Sequence, residues 1–335
     1  MPPQLPRAVE TGDHHHPMSK LAFLFPGQAS QYPGMGKSLA EAFPESKAVC
    51  DEADAALGSS ISKICFEGSE ETLKLTENTQ PGILTVSIAA FRALEQRGIT
   101  PDLVAGHSLG EYSALVAAGA IDLATAVRLV RARGRYMQEA VPAGEGAMAA
   151  ILGLSPSDIA EICKKAAAGE VVSPANLNSP DQVVISGNAG AVKRAVEIAS
   201  QAGAKRAVIL PVSAPFHCAL MEPAQRRLEP DLRAAKFGDL RFPLITNVDA
   251  EEVATGNEAR EALIRQVTQP VRWLDSIREM IELGVNVFVE VGPGKVLAGL
   301  LRQIDRSVRC FNVEDAPSLQ ASLEKIGHAR AEAAE

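Results

Sequence analysis

A chain of 335 residues with 46% apolar composition can bury a full core and suits one large domain, or a large domain with a small one. Its formal charge of -8, without any Lys or Arg run, lacks the electrostatic footprint of a general nucleic-acid binder, so small molecules or proteins are the expected partners. Cys50, Cys65, Cys163, Cys218 and Cys310 are odd in number and include no C-x-x-C, which argues against a disulfide framework or a zinc site and for a reducing, cytoplasmic home. No stretch of about 18 consecutive apolar residues exists, so no membrane span is expected. Residues 1–17, with His14, His15 and His16 beside Pro and Gly, read as a leader or tag-like tail.

Leu21 to Phe25 is an apolar run closed by Pro26-Gly27, a buried strand entering a loop. Helical patterns follow over about 37–57 and 81–97, the second with Pro81 at a first-turn position. Leu103 to Ala105 is a strand, 111–118 a helix, and Asp122 is an N-cap for a helix to about Glu139. Strands alternating with helices predict an α/β core with a mainly parallel sheet. Beyond Pro142 the order becomes β-α-β-β-α-β: strands at 147–152, 171–172, 183–185 and 206–212, with helices at 155–168 and 191–202. That order is ferredoxin-like and places a small domain at 141–213. Strands near 244–246 and 287–291 resume the first pattern, so the large domain is discontinuous, 18–140 and 214–335.

Gly106-His107-Ser108-Leu109-Gly110 fits G-x-S-x-G between a strand and a helix, the context of a nucleophile elbow. The small flanking residues let the Ser108 hydroxyl project, and N–H groups at the helix start can face a developing oxyanion. A glycine-rich helix entry with an ordinary capping serine is the alternative. A serine nucleophile needs a base, and after Met18 the histidines are His107, His217 and His328. His328 lies in a polar C-terminal helix and reads as solvated, while His107 on the elbow should point away from the hydroxyl. His217 follows a strand, on a loop where binding residues tend to sit; apart from Ser108, a capping or core histidine would be the better reading.

On the helix after Asp122, Arg128, Arg131 and Arg135 share one face and read as solvated, whereas Arg133 falls in the apolar sector of Ala126, Leu129, Val130 and Met137. A buried guanidinium needs an anion, and a structural salt bridge and a substrate carboxylate are equally good partners. Gln28 lies just past the carboxyl end of a strand, where α/β ligands bind, although a water-facing loop glutamine is as good a reading. Val291-Gly-Pro-Gly-Lys295 has Val296 where a phosphate loop needs Ser or Thr, which excludes a nucleotide site. Cys218, a lone thiol on an apolar segment, reads as inert packing.

Phe25-Pro-Gly-Gln28, Gly106-His-Ser-Leu-Gly-Glu111, Arg133-Gly-Arg-Tyr-Met-Gln138, Pro215-Phe-His217, Asn247-Val-Asp249 and Glu290-Val-Gly-Pro-Gly294, in this order, resemble the malonyl-CoA:acyl carrier protein transacylases of bacterial type II fatty acid synthesis. The resemblance spans about 18–323. It implies an α/β-hydrolase-like large domain with an inserted ferredoxin-like domain. It further implies Ser108 as the acylated nucleophile, His217 as its base and later acid, and the main-chain N–H groups of Gln28 and Leu109 as the oxyanion hole. Arg133 would clamp the malonyl carboxylate, the main-chain carbonyl of Gln266 would orient His217, and Phe216 matches malonyl-selective relatives. The implied partners are malonyl-CoA as substrate and acyl carrier protein as acceptor, with no metal or resident cofactor and a monomer as the working unit. A carrier-protein docking patch is expected around Lys205, Arg206, Lys295 and Arg302. A serine esterase or thioesterase, and a non-catalytic acyl-binding module, are the rival readings.

Overall fold

The computed structural model describes residues 20–212 and 214–332; the leader expected over residues 1–17 lies outside the described residues. Among the described residues there are ten strands: β1 Lys20–Phe25, β2 Leu103–Gly106, β3 Gly146–Leu152, β4 Val172–Ser179, β5 Gln182–Asn188, β6 Arg206–Ile209, β7 Leu244–Ile245, β8 Glu252–Val253, β9 Val285–Val291 and β10 Arg309–Val313. Six form one sheet in the order β10-β9-β1-β2-β7-β8, parallel except between β7 and β8.

A parallel sheet is covered on both faces, which is why β1 reads as an unbroken apolar run. Its residues alternate between two cores. Leu21, Phe23 and Phe25 meet the helices Thr76–Glu95, Gly110–Ala117 and Leu123–Glu139 on one side. Ala22 and Leu24 meet Trp273, Ile277, Leu297 and Leu300 on the other. Each of these buried Leu or Phe side chains contributes about 1.5–3 kcal/mol from removal of apolar surface from water.

The remaining four strands form an antiparallel sheet, β4-β5-β3-β6. Helices Pro156–Ala167 and Ala189–Gln201 cover one face over Ala149, Ile151, Val183 and Ile185. The β-α-β-β-α-β order expected from the sequence is therefore the observed architecture. The opposite face carries Met148, Ala175 and Val184. Hydrogen bonds from Leu177 N to Val271 O at 2.9 Å and from Val271 N to Ala175 O at 2.8 Å tie β4 to the chain just before Trp273.

Several elements differ from expectation, each for a local reason. The helix over 37–57 is two, Lys37–Ala42 and Pro44–Leu57, because Phe43 before a proline is extended rather than helical. The helix expected to open at Pro81 begins at Thr76, leaving Pro81 inside it without an N–H for the preceding turn. The strand expected at 171–172 runs to Ser179, and its register shifts between Pro174 and Asn176, as a proline that cannot donate to the ladder requires. The strand expected over 206–212 stops at Ile209. Among the described residues no helix is long and apolar enough to cross a membrane.

Candidate active site

The elbow at Ser108 is forced by close packing. A Cβ on Gly106 would stand 1.9 Å from the Gly110 carbonyl carbon, and one on Gly110 would stand 2.0 Å from the Phe25 carbonyl oxygen, so neither position admits a side chain. Gly27 is equally constrained, its Cβ falling 2.4 Å from the His107 carbonyl oxygen, and this presses the Gln28 loop against the elbow. Ser108 itself has φ 51°, a left-handed conformation that costs a residue with a Cβ about 1–3 kcal/mol. Its N–H donates to Asn247 Oδ1 at 2.7 Å, and Asn247 Nδ2 donates to the Gly106 carbonyl at 2.7 Å, so one side chain braces both sides of the turn.

Ser108 Oγ lies 2.7 Å from His217 Nε2. The other imidazole nitrogen, Nδ1, is 2.8 Å from the main-chain oxygen of Gln266. A carbonyl only accepts, so Nδ1 carries the proton and Nε2 offers its lone pair to the serine hydroxyl. Burial, reinforced by the Arg133 charge, holds the His217 pKa down to about 3, so the ring is neutral at pH 7. A hydroxyl beside a neutral, oriented imidazole can give up its proton as the oxygen attacks a carbonyl carbon.

Arg133 is 1% exposed. Its NH1 donates to Gln80 Oε1 at 2.8 Å, and its NH2 donates to Gln266 Oε1 and to Ser108 Oγ, both at 3.0 Å. The Tyr112 ring lies 5.6 Å from the guanidinium carbon. None of these partners is a carboxylate, and among the described residues Arg133 makes no ion pair, which removes the structural salt bridge from consideration. Its Nε has no hydrogen-bond partner, and burial lowers the guanidinium pKa. Glu111 acts on it only through space, and a buried guanidinium without an ion pair is suited to taking an anion.

Arg128 and Arg135 are exposed, and Arg131, half-buried, donates to Ser59 Oγ at 2.7 Å. Gln80 is not among the sequence-predicted site residues, because Pro81 reads as a helix start. The usable signal was Gly134: a Cβ there would stand 2.6 Å from the Thr76 carbonyl oxygen, so this mid-helix glycine marks the close crossing that brings Gln80 to Arg133.

Asn247 and Glu111 likewise carry no role that the sequence pattern assigns. Glu111 is fully buried, and its carboxyl is pushed up to about 7 by burial, against hydrogen bonds from Asn247 N at 2.9 Å and Gln266 Nε2 at 3.1 Å. Gln28 and Leu109 flank Ser108, and neither main-chain N–H has a hydrogen-bond partner among the described residues. Two unclaimed N–H groups beside a nucleophile are what an oxyanion requires.

Gln28, Gln80, Ser108, Arg133 and His217 line a cavity of about 260 Å³ between the two sheets. Met148 and Val184 of the small sheet, with Leu210 and Val212 just past β6, form its apolar wall beside Asn176, Asn178 and Gln182; Leu297 and Leu300 also line it. Phe216 also lines it. His107 Nε2 is 2.9 Å from Asn178 Oδ1, across the gap between the sheets, and its ring lies 5.4 Å from that of Trp273. His328 is exposed on the C-terminal helix. Cys218 donates to the Pro215 carbonyl at 3.2 Å, and burial raises its pKa, so it is a thiol and not a thiolate. The 291–295 loop holds no phosphate cradle, because Glu290 already accepts the N–H groups of Leu297 and Ala298 at 3.0 and 2.8 Å. Among the described residues no cluster of three or more His, Cys, Asp or Glu side chains could hold a metal ion.

Fold and elbow together define an α/β protein of the kind that presents a serine at a strand-to-helix turn beside an oriented histidine. Residues 22–325 match the model of the acyl transferase domain. The malonyl CoA-acyl carrier protein transacylase of Bacillus subtilis (strain 168) is 49% identical over 310 residues, 92% of this chain and 98% of its own. A solved transacylase of the same name from Coxiella burnetii superposes with a TM-score of 0.90 at 45% identity, covering 92% of this chain and 98% of that one. A malonyl-transacylase solved in complex with its type II PKS acyl-carrier protein superposes with a TM-score of 0.89 at 46% identity, covering 92% and 100%. The chain belongs to the acyl transferase family and, within it, to the malonyl CoA-acyl carrier protein transacylases.

Proposed function

We propose that this protein moves the malonyl group from malonyl-CoA to the phosphopantetheine thiol of an acyl carrier protein through a malonyl-Ser108 intermediate, supplying fatty acid synthesis. The observation that carries the reading is a buried guanidinium without a carboxylate partner, 3.0 Å from a serine oxygen that is itself 2.7 Å from a neutral imidazole. Ser108 Oγ attacks the thioester carbonyl as its proton passes to His217 Nε2. The N–H groups of Gln28 and Leu109 receive the oxyanion, each worth about 2.7–4 kcal/mol in the transition state. The CoA thiolate leaves with the proton from His217. The carrier thiol then gives its proton to His217 and attacks the acyl-serine, and collapse returns the proton to Ser108.

Arg133 takes the distal carboxylate, which only a malonyl-type group brings. The cycle uses malonyl-CoA as substrate and no metal or resident cofactor. Every group in it comes from one chain, so a monomer suffices, and five free thiols suit a reducing cytoplasm. The carrier would meet the exposed Lys205, Arg206 and Arg302; Lys295 contributes less, since its ammonium lies 3.3 Å from Glu314.

The same elbow and base would serve a thioesterase, with water as acceptor. Incubation with malonyl-CoA and a phosphopantetheinylated carrier protein separates the two. Malonyl-carrier should accumulate with little free malonate, and release of malonate at the rate of CoA release, with the carrier unmodified, would refute transfer.

A further inference from the structure

Glu111 has no part in the chemistry above, yet its fully buried carboxyl lies where both supports of the Ser108–His217 pair meet. Its Oε2 accepts the Asn247 main-chain N–H at 2.9 Å and the Gln266 side-chain Nε2 at 3.1 Å. Asn247 in turn accepts the Ser108 N–H and donates to the Gly106 carbonyl, holding the elbow in its left-handed turn. The Gln266 main chain accepts the His217 Nδ1–H, while its Nε2 also reaches the Ser108 carbonyl at 3.0 Å. One carboxyl oxygen thus anchors the residue that holds the nucleophile and the residue that orients the base. The other oxygen, Oε1, is buried without a hydrogen-bond partner among the described residues. An acid satisfied on one oxygen only is a poor choice for stability alone, because a buried polar atom without a hydrogen bond costs free energy.

We infer that Glu111 is a positioning residue for acyl transfer: through Asn247 and Gln266 it fixes the alignment of Ser108 Oγ with His217 Nε2 without touching substrate. The inference rests on the transfer reading given above. The working element is the acceptor oxygen Oε2, whichever protonation state the carboxyl takes, since a proton would sit on the unpartnered Oε1. Misplacing such a pair by about 1 Å costs on the order of 10²-fold in rate.

The test compares Glu111→Leu, which removes the acceptor at similar volume, with Glu111→Gln, which keeps one oxygen at the Oε2 position. The saturating rate of single-turnover malonylation should fall on the order of 10²-fold in the leucine variant, with the half-saturating malonyl-CoA concentration moved far less, and most of the rate should return with glutamine. The downfield NMR proton resonance of the hydrogen-bonded His217 Nδ1–H should be sharp in the native chain and the glutamine variant, and lost or broadened with leucine. A folded leucine variant with the native saturating rate, or a glutamine variant as slow as leucine, overturns the inference. Where the leucine variant does not fold, Gln266→Met removes the same bond from the other end and keeps the main-chain carbonyl; a native rate there overturns it equally. If the native chain takes no malonyl group, the transfer reading fails by itself. The His217 resonance then decides the positioning role: loss with leucine supports it, and persistence refutes it.

Discussion

The elbow and the Arg133 pocket lie side by side but are built in opposite ways. The elbow is five consecutive residues whose shape follows from what cannot fit: a side chain at Gly106 or Gly110 would overlap main-chain atoms. The pocket is assembled from distant segments, with Gln80, Ser108, Arg133 and Gln266 meeting only because helices cross beside the sheet. The first is fixed by local sterics and has no slack. The second is fixed by polar partners, each neutral, around one buried charge. Generic acyl chemistry should therefore depend on the elbow and acyl selectivity on the Arg133 pocket.

Breaking each region in turn exposes that separation. Arg133→Ala should cost malonyl transfer the most, since a substrate carboxylate left unpaired in a buried site costs on the order of 3–5 kcal/mol, roughly 10²- to 10⁴-fold in kcat/KM. Acetyl transfer should be nearly unchanged; steady-state rates with the two CoA thioesters check this, and equal losses would remove the carboxylate clamp. Gly110→Ala strikes the elbow. It should slow malonyl and acetyl transfer alike by about 10²-fold, as expected for displacement of the serine by about 1 Å, and lower stability by about 1–3 kcal/mol in a urea melt. A substrate-selective effect there would mean that the two regions are not separable.

A smaller effect concerns pH. Burial and the Arg133 charge depress the His217 pKa to about 3, below its value of about 6.5 in the unfolded chain. The base therefore stays neutral through the usual histidine range, and the acid limb of malonylation kcat/KM should fall well below pH 6.5. By linkage the folded state binds fewer protons than the unfolded one between these values. The stability contributed by neutral His217 is thus complete above pH 6.5 and declines as pH falls toward 3. An acid limb centred on 6.5 would show that the imidazole is not desolvated in the working enzyme.

The elbow was legible because its code is contiguous: two glycines, a serine, and a strand-to-helix context. Arg133 was legible from helical phase alone, since a charge at an apolar position demands a reason. What surrounds Arg133 was not legible. Gln80 lay behind a proline that looked like a helix start but sits inside a helix crossing another at Gly134. Glu111 and Asn247 are ordinary polar residues whose roles exist only through partners more than a hundred positions away, from Glu111 to the Asn247 main chain and from Asn247 to Ser108. The α/β and ferredoxin-like plan followed from element order. The far wall of the cavity, by contrast, depended on β4 running past Pro174, which local propensity argued against.

Whether Ser108 carries the acyl group is read by intact-mass measurement after brief mixing with malonyl-CoA. The native chain should gain one malonyl mass, mapped to the peptide holding Ser108, and the Ser108→Ala chain should gain none. A malonyl adduct that persists in Ser108→Ala would contradict the account and move the nucleophile elsewhere.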